Sequence, residues 1–234
     1  MMKRTLLLFD VDGTMLKTGG AGMRAMARVG SELFGEAFHW EGIEAGGSLD
    51  PVIFAEAAAN NRLADPHLHH DRFRDSYLAR LAEELELNRH QVRVLPGIVE
   101  CLATLRQREH ERRDVVLGLL TGNYTLAIPV KFAAIGVDPT WFSITAFGDE
   151  APSRPDLVGL AMRRYREKFN EPANPRRVIV IGDTPRDVAC AKAHGCIAFA
   201  IATGSHGVEE LRACGADHAV ADLSDPAPLY RLLY

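Results

Sequence analysis

The sequence is poor in the features that mark secreted, membrane-spanning and disulfide-linked proteins. It has only four cysteines, Cys101, Cys190, Cys196 and Cys214, and no two of them form a Cys-x-x-Cys pair. We therefore expect them to be reduced and mostly buried. No apolar run approaches the length of a membrane span, and the first one, residues 5–9, is too short for a signal-peptide core. These absences lead us to expect a cytoplasmic protein.

The sequence also lacks a strong net charge. Its 27 Lys and Arg stand against 31 Asp and Glu, which gives a formal charge of -4. This balance gives no electrostatic reason to expect nucleic acid or an anionic membrane surface as a partner. The chain has 234 residues, of which 47% are hydrophobic. That is enough for one large α/β domain, or for a core with a smaller second domain.

Short β-rich runs alternate with amphipathic segments of helical length along most of the chain. We predict strands at residues 5–9, 115–120, 142–147, 177–181, 197–201 and 218–220. We predict helices between them at residues 98–108, 125–135, 157–169, 185–193 and 208–213. The first, second and fourth strands are almost continuously apolar, which is typical of parallel strands buried on both faces. The alternation predicts an α/β fold whose parallel sheet is covered by helices on both sides.

This alternation stops after the first strand, because no convincing strand is visible between residues 16 and 94. Residues 23–34, 52–60 and 71–85 instead have helical patterns, and Asp50-Pro51 is a helix start signal. We therefore predict an inserted all-helical cap domain over residues 17–94. The α/β core then comprises residues 1–16 and 95–234.

Two carboxylates follow the first predicted strand in the segment Asp10-Val11-Asp12-Gly13-Thr14. The strand period of two would point both carboxylates to the same side. In open parallel sheets, ligands bind beyond the carboxyl ends of the strands. Taken alone, the segment is equally compatible with an Asp-rich turn.

Two more polar groups follow the second and third strands. Thr121-Gly122-Asn123 offers a hydroxyl and backbone N–H groups that could hold a phosphate, although a helix N-cap with a turn glycine explains the same residues. Arg154 lies between the third strand and a helix. It could supply a guanidinium to the same edge, but, taken alone, an exposed arginine beside a helix-start proline is the favoured interpretation.

Asp183 comes two residues after the fourth predicted strand and is followed by Thr184 and Asp187. Thr184 and Asp187 are close to a capping box at the start of a helix. That does not explain Asp183, since a carboxylate at the mouth of a buried strand needs water, a cation or a hydrogen-bond donor. All four groups follow core strands and would meet at one edge of the sheet. Together they hold what phosphoryl transfer with a hard cation requires.

These motifs, in this order and spacing, resemble the haloacid dehalogenase superfamily, and the helical insert resembles its small helical cap. Within it, the chain is most similar to the phosphoglycolate phosphatase-like branch. The resemblance implies a Rossmann-like core and a Mg²⁺-dependent phosphatase that acts on a small phosphorylated metabolite. It also implies that substrate choice lies in the cap, where Gly47 and Asp50 belong to a loop that faces the active site in relatives.

The resemblance also implies roles for single residues. Asp10 would attack phosphorus, and Asp12 would act as general acid and then as general base. Thr121 would bind phosphate oxygens together with Gly122 and Asn123. The metal would be held by Asp10, Asp183 and the backbone carbonyl of Asp12, with Asp187 orienting its waters or the nearby cation. Arg154 stands where the family usually has lysine, and it would neutralise the phosphate and the nucleophile.

Several alternatives remain at this point. Dehalogenation is disfavoured because dehalogenases lack the carboxylate that Asp12 supplies. Phosphonate hydrolysis is disfavoured because residues 18–94 contain no lysine for a Schiff base. A phosphomutase of the β-phosphoglucomutase kind would keep the same core. A non-catalytic binding module on this fold would be expected to lose Asp10 or Asp12, and both are present.

Overall fold

The computed structural model describes residues 4–233, so residues 1–3 and 234 of the predicted core lie outside the described part of the chain. A six-stranded sheet forms its centre, and neighbouring strands in it run parallel. Its strands are β1 (Thr5–Phe9), β4 (Val115–Leu120), β5 (Ile144–Ala146), β6 (Val178–Gly182), β7 (Ile197–Ile201) and β8 (His218–Val220). Their order across the sheet is β5-β4-β1-β6-β7-β8. The predicted α/β fold with a parallel sheet is confirmed.

The sheet is buried on both faces, which explains the continuous apolar runs of its central strands. In β1, Leu6 and Leu8 belong to one hydrophobic cluster, whereas Leu7 and Phe9 belong to another on the opposite face. Four of the six strands have the predicted bounds. The other two differ at their ends: β5 is shorter than predicted, and β6 starts and ends one residue later.

Helices cover both faces of the sheet and also form a separate layer. In chain order they are α1 (Ala21–Phe34), α2 (Asp50–Asn60), α3 (Pro66–Leu87), α4 (Ile98–Arg112), α5 (Ala127–Ile135), α6 (Arg154–Phe169), α7 (Pro185–Ala193), α8 (Val208–Ala213) and α9 (Ala227–Tyr230). Residues of α4, α5 and α9 pack in the cluster on one face, and residues of α6, α7 and α8 pack in the cluster on the other. This two-sided cover is what a parallel sheet requires.

Helices α1, α2 and α3 share a third hydrophobic cluster. Its centre is aromatic: the rings of Phe54 and Phe73 stack with 4.3 Å between centroids, and Tyr77 is fully buried beside them. Tyr124 and Ala127, from the loop before α5 and from α5 itself, belong to the same cluster. The helical segment is therefore attached to the α/β part through apolar contacts at α5.

Two short strands connect this helical segment to the sheet, and here the expectation that residues 16–94 contain no strand is wrong. β2 (Leu16–Lys17) pairs antiparallel with β3 (Arg93–Val94). Each strand has only two residues, which is too short to give a periodic pattern in the sequence. The pair brings the outgoing and returning chain side by side.

Two expectations from composition concern the cysteines and the membrane. Cys101, Cys190 and Cys196 are buried and free, whereas Cys214 is free but exposed. Among residues 4–233, no helix combines the length and apolarity needed to cross a membrane.

Candidate active site

A cavity of about 650 Å³ opens at the carboxyl edge of the sheet, beneath the helical segment. It is lined by nine of the residues proposed from the sequence: Asp10, Asp12, Gly47, Asp50, Thr121, Gly122, Asn123, Arg154 and Asp183. Asp187 is not part of the lining and contacts Arg154 from behind. The side chains predicted to meet at one edge of the sheet therefore do lie around one cavity.

Three buried carboxylates lie close together at this cavity, and two of them, Asp10 and Asp183, belong to its lining. Asp10, Asp183 and Asp187 each place a carboxylate oxygen within 4.8 Å of the others. Asp10 follows β1 and its backbone N–H donates to the carbonyl oxygen of Ile181 in β6, at 2.8 Å. This bond between adjacent strands fixes the spacing of the two strand ends from which Asp10 and Asp183 project.

Two glycines, Gly13 and Gly204, lie against the carboxylate of Asp183 and leave space around it. A Cβ atom at Gly13 would lie 2.3 Å from Oδ2 of Asp183, and one at Gly204 would lie 1.8 Å from the same atom. Gly13 also has φ +77°, a conformation that favours glycine. The hydroxyl of Thr14 donates to Oδ1 of Asp183 at 2.9 Å. Glycine at positions 13 and 204 thus keeps a small oxygen-lined space open.

Burial and repulsion from neighbouring carboxylates raise the pKa values of two members of this cluster, Asp10 and Asp183. Burial raises the pKa of Asp10 to about 6, with Arg154 acting against the shift and Asp187 adding to it. The pKa of Asp183 rises to about 8, chiefly through burial and then through the charges of Asp10 and Asp187. Carboxylates crowded in this way gain from a neighbouring cation.

Arg154 supplies one such cation, and the alternative that it is an exposed arginine is wrong. Helix α6 begins at Arg154, whose side chain is 6% exposed. Its Nη2 atom lies 2.5 Å from Oδ1 of Asp187 and 3.1 Å from Oδ2 of Asp10. Burial lowers the pKa of Arg154, but Asp187 and Asp10 outweigh this effect and the net shift is upward. The guanidinium therefore stays charged beside Asp10.

Asp187 completes the capping box and also contacts Arg154. Its Oδ2 accepts from the backbone N–H and the hydroxyl of Thr184, at 3.1 and 2.6 Å, and completes a capping box at the start of α7. Its Oδ1 accepts from Nε and Nη2 of Arg154, at 3.1 and 2.5 Å. The helix cap thus holds Asp187 where it can orient the guanidinium.

Asp12 turns away from the three buried carboxylates toward the loop after β4. Its Oδ2 accepts from Nδ2 of Asn123 at 2.7 Å. The same Nδ2 lies 2.7 Å from Oγ1 of Thr121, which accepts from it. Because Oγ1 of Thr121 is an acceptor in this bond, its own hydroxyl hydrogen is left to donate to a ligand.

Lys131 in α5 is a site residue that the sequence reasoning missed. Its side chain is 4% exposed, and its Nζ lies 2.6 Å from Oδ2 of Asp12 and also donates to Oδ1 of Asn123. One signal could have found it: Lys131 is the single charged residue in α5, whose other residues are apolar. Lysine is rarely buried unless it is paired.

The segment before α2 connects the helical layer to the site. The carbonyl oxygen of Gly47 accepts from Nη1 of Arg154 at 3.1 Å. The backbone N–H of Asp50 donates to the carbonyl oxygen of Gly122 at 2.7 Å, and Oδ2 of Asp50 accepts from the backbone N–H of Tyr124 at 2.9 Å. Asp50 also begins α2, followed by Pro51, so the predicted helix start is present as well. Burial raises the pKa of Asp50 to about 7, and Lys131 acts against that shift.

The buried carboxylates suit a hard divalent cation. Mg²⁺ prefers oxygen ligands, and Asp10, Asp183 and Asp187 offer three carboxylates within reach of one another. Glycine at positions 13 and 204 leaves space at the Asp183 oxygens. The pKa values of Asp10 and Asp183 are raised chiefly because burial disfavours their charged forms, and a bound cation would offset that cost. The residues therefore fit this metal.

Comparisons with known proteins identify the family of this chain and proteins of similar fold. The family model for haloacid dehalogenase-like hydrolases matches residues 5–195. A search of curated proteins finds no match. Among solved structures, a hydrolase from Pseudomonas syringae is similar over 97% of this chain and 98% of that one, with 19% identity and a TM-score of 0.69.

Two further structures are similar over almost their whole length. The similarity to CbbY from Rhodobacter sphaeroides in complex with phosphate extends over 96% of this chain and 96% of that one, with 22% identity and a TM-score of 0.69. A predicted phosphoglycolate phosphatase from Haemophilus somnus covers 98% of this chain and 99% of that one, with 17% identity and a TM-score of 0.66. At these identities the similarities show the fold.

Proposed function

Because this chain belongs to the haloacid dehalogenase-like hydrolase family, we propose that it is a Mg²⁺-dependent phosphatase of a small phosphorylated metabolite. The observation that carries the proposal is the grouping of Asp10, Asp183 and Asp187 within 4.8 Å, with the guanidinium of Arg154 buried 3.1 Å from Asp10. A carboxylate nucleophile, carboxylates for a metal and a fixed cation are what phosphoryl transfer to a carboxylate requires.

The first step forms a covalent aspartyl-phosphate on Asp10. A carboxylate oxygen of Asp10 attacks phosphorus while the bond from phosphorus to the ester oxygen breaks. Asp12 gives its proton to the leaving oxygen, so that the alcohol departs neutral. The hydroxyl of Thr121 and the backbone N–H groups of the loop after β4 are the donors proposed to hold the phosphoryl oxygens.

The second step returns the enzyme to its starting state. Water attacks the phosphorus of the aspartyl-phosphate, and Asp12, now a carboxylate, takes the proton from this water. The bond between phosphorus and Asp10 breaks, and inorganic phosphate is released. Arg154 remains charged throughout, so it can offset negative charge on the phosphoryl group in both steps.

Asp10, Asp183 and the backbone carbonyl of Asp12 are proposed to hold the metal, with Asp187 next to them. When bound, Mg²⁺ would neutralise charge on the phosphoryl group and hold it in place. We also propose that residues 17–94 act as a cap on a core formed by residues 1–16 and 95–234. Gly47 and Asp50 connect this cap to the core and adjoin the substrate cavity.

Two of the similar structures support the substrate class. CbbY from Rhodobacter sphaeroides was solved in complex with phosphate, and the Haemophilus somnus protein is described as a predicted phosphoglycolate phosphatase. The cavity of about 650 Å³ has the size of a typical small-molecule site. A small phosphorylated metabolite is therefore the substrate class we propose.

The test is release of inorganic phosphate from a panel of phosphorylated metabolites and one aryl phosphate, with Mg²⁺ or with EDTA. We expect turnover with Mg²⁺ and its loss with EDTA. Asp10→Asn should lower turnover by a factor of about 10³ or more while the protein stays folded. The matched control is Asp65→Asn, because Asp65 is exposed, has φ +46° and makes no capping hydrogen bond. Asparagine is tolerated in that backbone conformation.

Three outcomes would contradict the proposal. They are the absence of phosphate release from every substrate in Mg²⁺, turnover that is unaffected by EDTA, and wild-type turnover of Asp10→Asn. Phosphoryl transfer between two positions of a sugar without release of inorganic phosphate would indicate a phosphomutase instead.

A further inference from the structure

Lys131 is a buried cation to which neither the four motifs nor the family resemblance gives a role. Its side chain is 4% exposed, although it stems from a helix that is otherwise apolar. A buried ammonium is costly unless it is paired and hydrogen-bonded. Lys131 meets that requirement inside the cavity, through Asp12 and Asn123.

The two carboxylate oxygens of Asp12 differ in their hydrogen bonds, and one of the donors responsible is Lys131. Oδ2 accepts from Nζ of Lys131 at 2.6 Å and from Nδ2 of Asn123 at 2.7 Å. Oδ1 accepts no hydrogen bond from residues 4–233, and the side chain of Asp12 is 42% exposed at the cavity. Oδ2 already accepts two hydrogen bonds, so its lone pairs are not available to bind a proton. The proton that Asp12 exchanges therefore belongs on Oδ1.

The same contacts connect Asp12 to the residue proposed to hold the phosphoryl group. Lys131 donates to Oδ1 of Asn123, and Nδ2 of Asn123 contacts both Asp12 and Oγ1 of Thr121. This closed arrangement restricts rotation of the Asp12 carboxyl group relative to Thr121. Proton transfer to a leaving oxygen requires such restriction, because misplacement of a catalytic group is costly in rate.

We propose that Lys131 is a positioning residue, which orients Asp12 so that its free Oδ1 serves the leaving oxygen and then the attacking water. This inference rests on the proposed phosphatase function. It assigns Lys131 a part distinct from that of Arg154, since Arg154 contacts Asp10 and Asp187 whereas Lys131 contacts Asp12. The two buried cations thus serve different carboxylates.

The test uses the leaving group to separate positioning from a purely structural role. An alkyl phosphate needs a proton on its departing oxygen, whereas 4-nitrophenyl phosphate releases a stable phenolate that needs little help. Lys131→Met should lower kcat/KM for the alkyl phosphate by about 10²-fold or more, within the usual range of general acid–base catalysis. The loss with 4-nitrophenyl phosphate should be at least about tenfold smaller.

A double-mutant cycle adds a second readout. Asp12→Asn should show the same dependence on the leaving group, and Lys131→Met in that background should cause little further loss, because both residues act through one group. Lys131→Arg should restore part of the alkyl phosphate activity. Lys131→Gln keeps a hydrogen-bond donor without the charge, and it serves as the second variant if Lys131→Met does not fold.

The matched control is Lys192→Met. Lys192 also pairs with an aspartate, Asp217, at 2.5 Å, but this pair lies outside the cavity. We expect Lys192→Met to leave both activities as in wild type. Equal losses with both substrates in Lys131→Met, or losses that multiply with those of Asp12→Asn, would overturn the positioning role. Absence of phosphate release by the wild-type protein would instead reject the proposed function.

Discussion

Replacing Arg154 by alanine would leave two buried carboxylates without their guanidinium. The Arg154 side chain is 6% exposed, and its Nη2 lies 2.5 Å from Asp187 and 3.1 Å from Asp10. Removing one partner of a buried ion pair costs about 3–5 kcal/mol, because the remaining charge is neither solvated nor paired. For a protein of this size 1 kcal/mol corresponds to about 2–4 °C in Tm. We therefore expect Arg154→Ala to lower Tm by roughly 6–20 °C.

The assay is thermal unfolding followed by circular dichroism, in EDTA, so that metal does not replace the missing charge. The matched control is Arg28→Ala. Arg28 also contacts two carboxylates, those of Glu32 and Glu83, both at 3.0 Å, but its side chain is 42% exposed. Exposed pairs contribute about 0–1 kcal/mol, so Arg28→Ala should change Tm by only a few degrees. Equal changes in the two variants would refute the reasoning.

The effect of Arg154→Ala should also depend on pH. Arg154 lowers the pKa of Asp10, so its removal raises that pKa further above the value of about 6 in the intact protein. A folded-state pKa above the unfolded one means that the native state binds more protons, and stability then falls as the pH rises through that window. The difference in Tm between wild type and variant should therefore be larger at alkaline than at acid pH. A pH-independent difference would show that burial of these charges is not its cause.

Two further predictions concern the metal and a glycine. The pKa values of Asp10 and Asp183 are raised to about 6 and about 8, so the metal-free protein should lose stability as the pH rises from about 4 to 8. The increase in Tm on adding Mg²⁺ should therefore be larger at about pH 8.5 than at about pH 5.5. An equal increase at the two pH values would contradict a metal site built on these carboxylates. Gly97→Ala should be strongly destabilising in urea unfolding, because Gly97 has φ +76° and its Cβ would lie 1.8 Å from the carbonyl oxygen of Leu223. Gly136→Ala, with φ +69° and open space, should cost only about 1–2 kcal/mol, and equal costs would mean that the clash at Gly97 is relieved cheaply.

Local patterns were sufficient for most of the sheet. Strands β1 and β4 are almost continuous apolar runs in a chain that is polar around them, so their bounds could be read directly. The Asp10-Val11-Asp12-Gly13-Thr14 segment stood out because it follows such a run. Strands β2 and β3 were missed since two residues carry no period, and their pairing joins positions far apart in the chain.

The sequence could not predict which charged side chains are buried. Nothing local distinguishes Arg154 from an exposed arginine at a helix start, because its burial depends on Asp10, which follows β1, and on Asp187, which lies in α7. Lys131 was overlooked for the same reason, since Asp12 and Asn123 meet it only in the folded chain. A single lysine in an otherwise apolar helix indicates a buried charge, but it does not indicate which residue pairs with that charge.

The antiparallel pairing of β2 with β3 has a consequence for how this protein can be rebuilt. The chain departs from the sheet layer through Leu16–Lys17 and comes back through Arg93–Val94, directly alongside. Cα atoms opposite each other in such a pair are about 5 Å apart, a gap that a two-residue hairpin turn closes. The two ends of residues 18–92 therefore lie side by side, and a segment of another length that joins them would leave the path of every strand of the sheet unchanged.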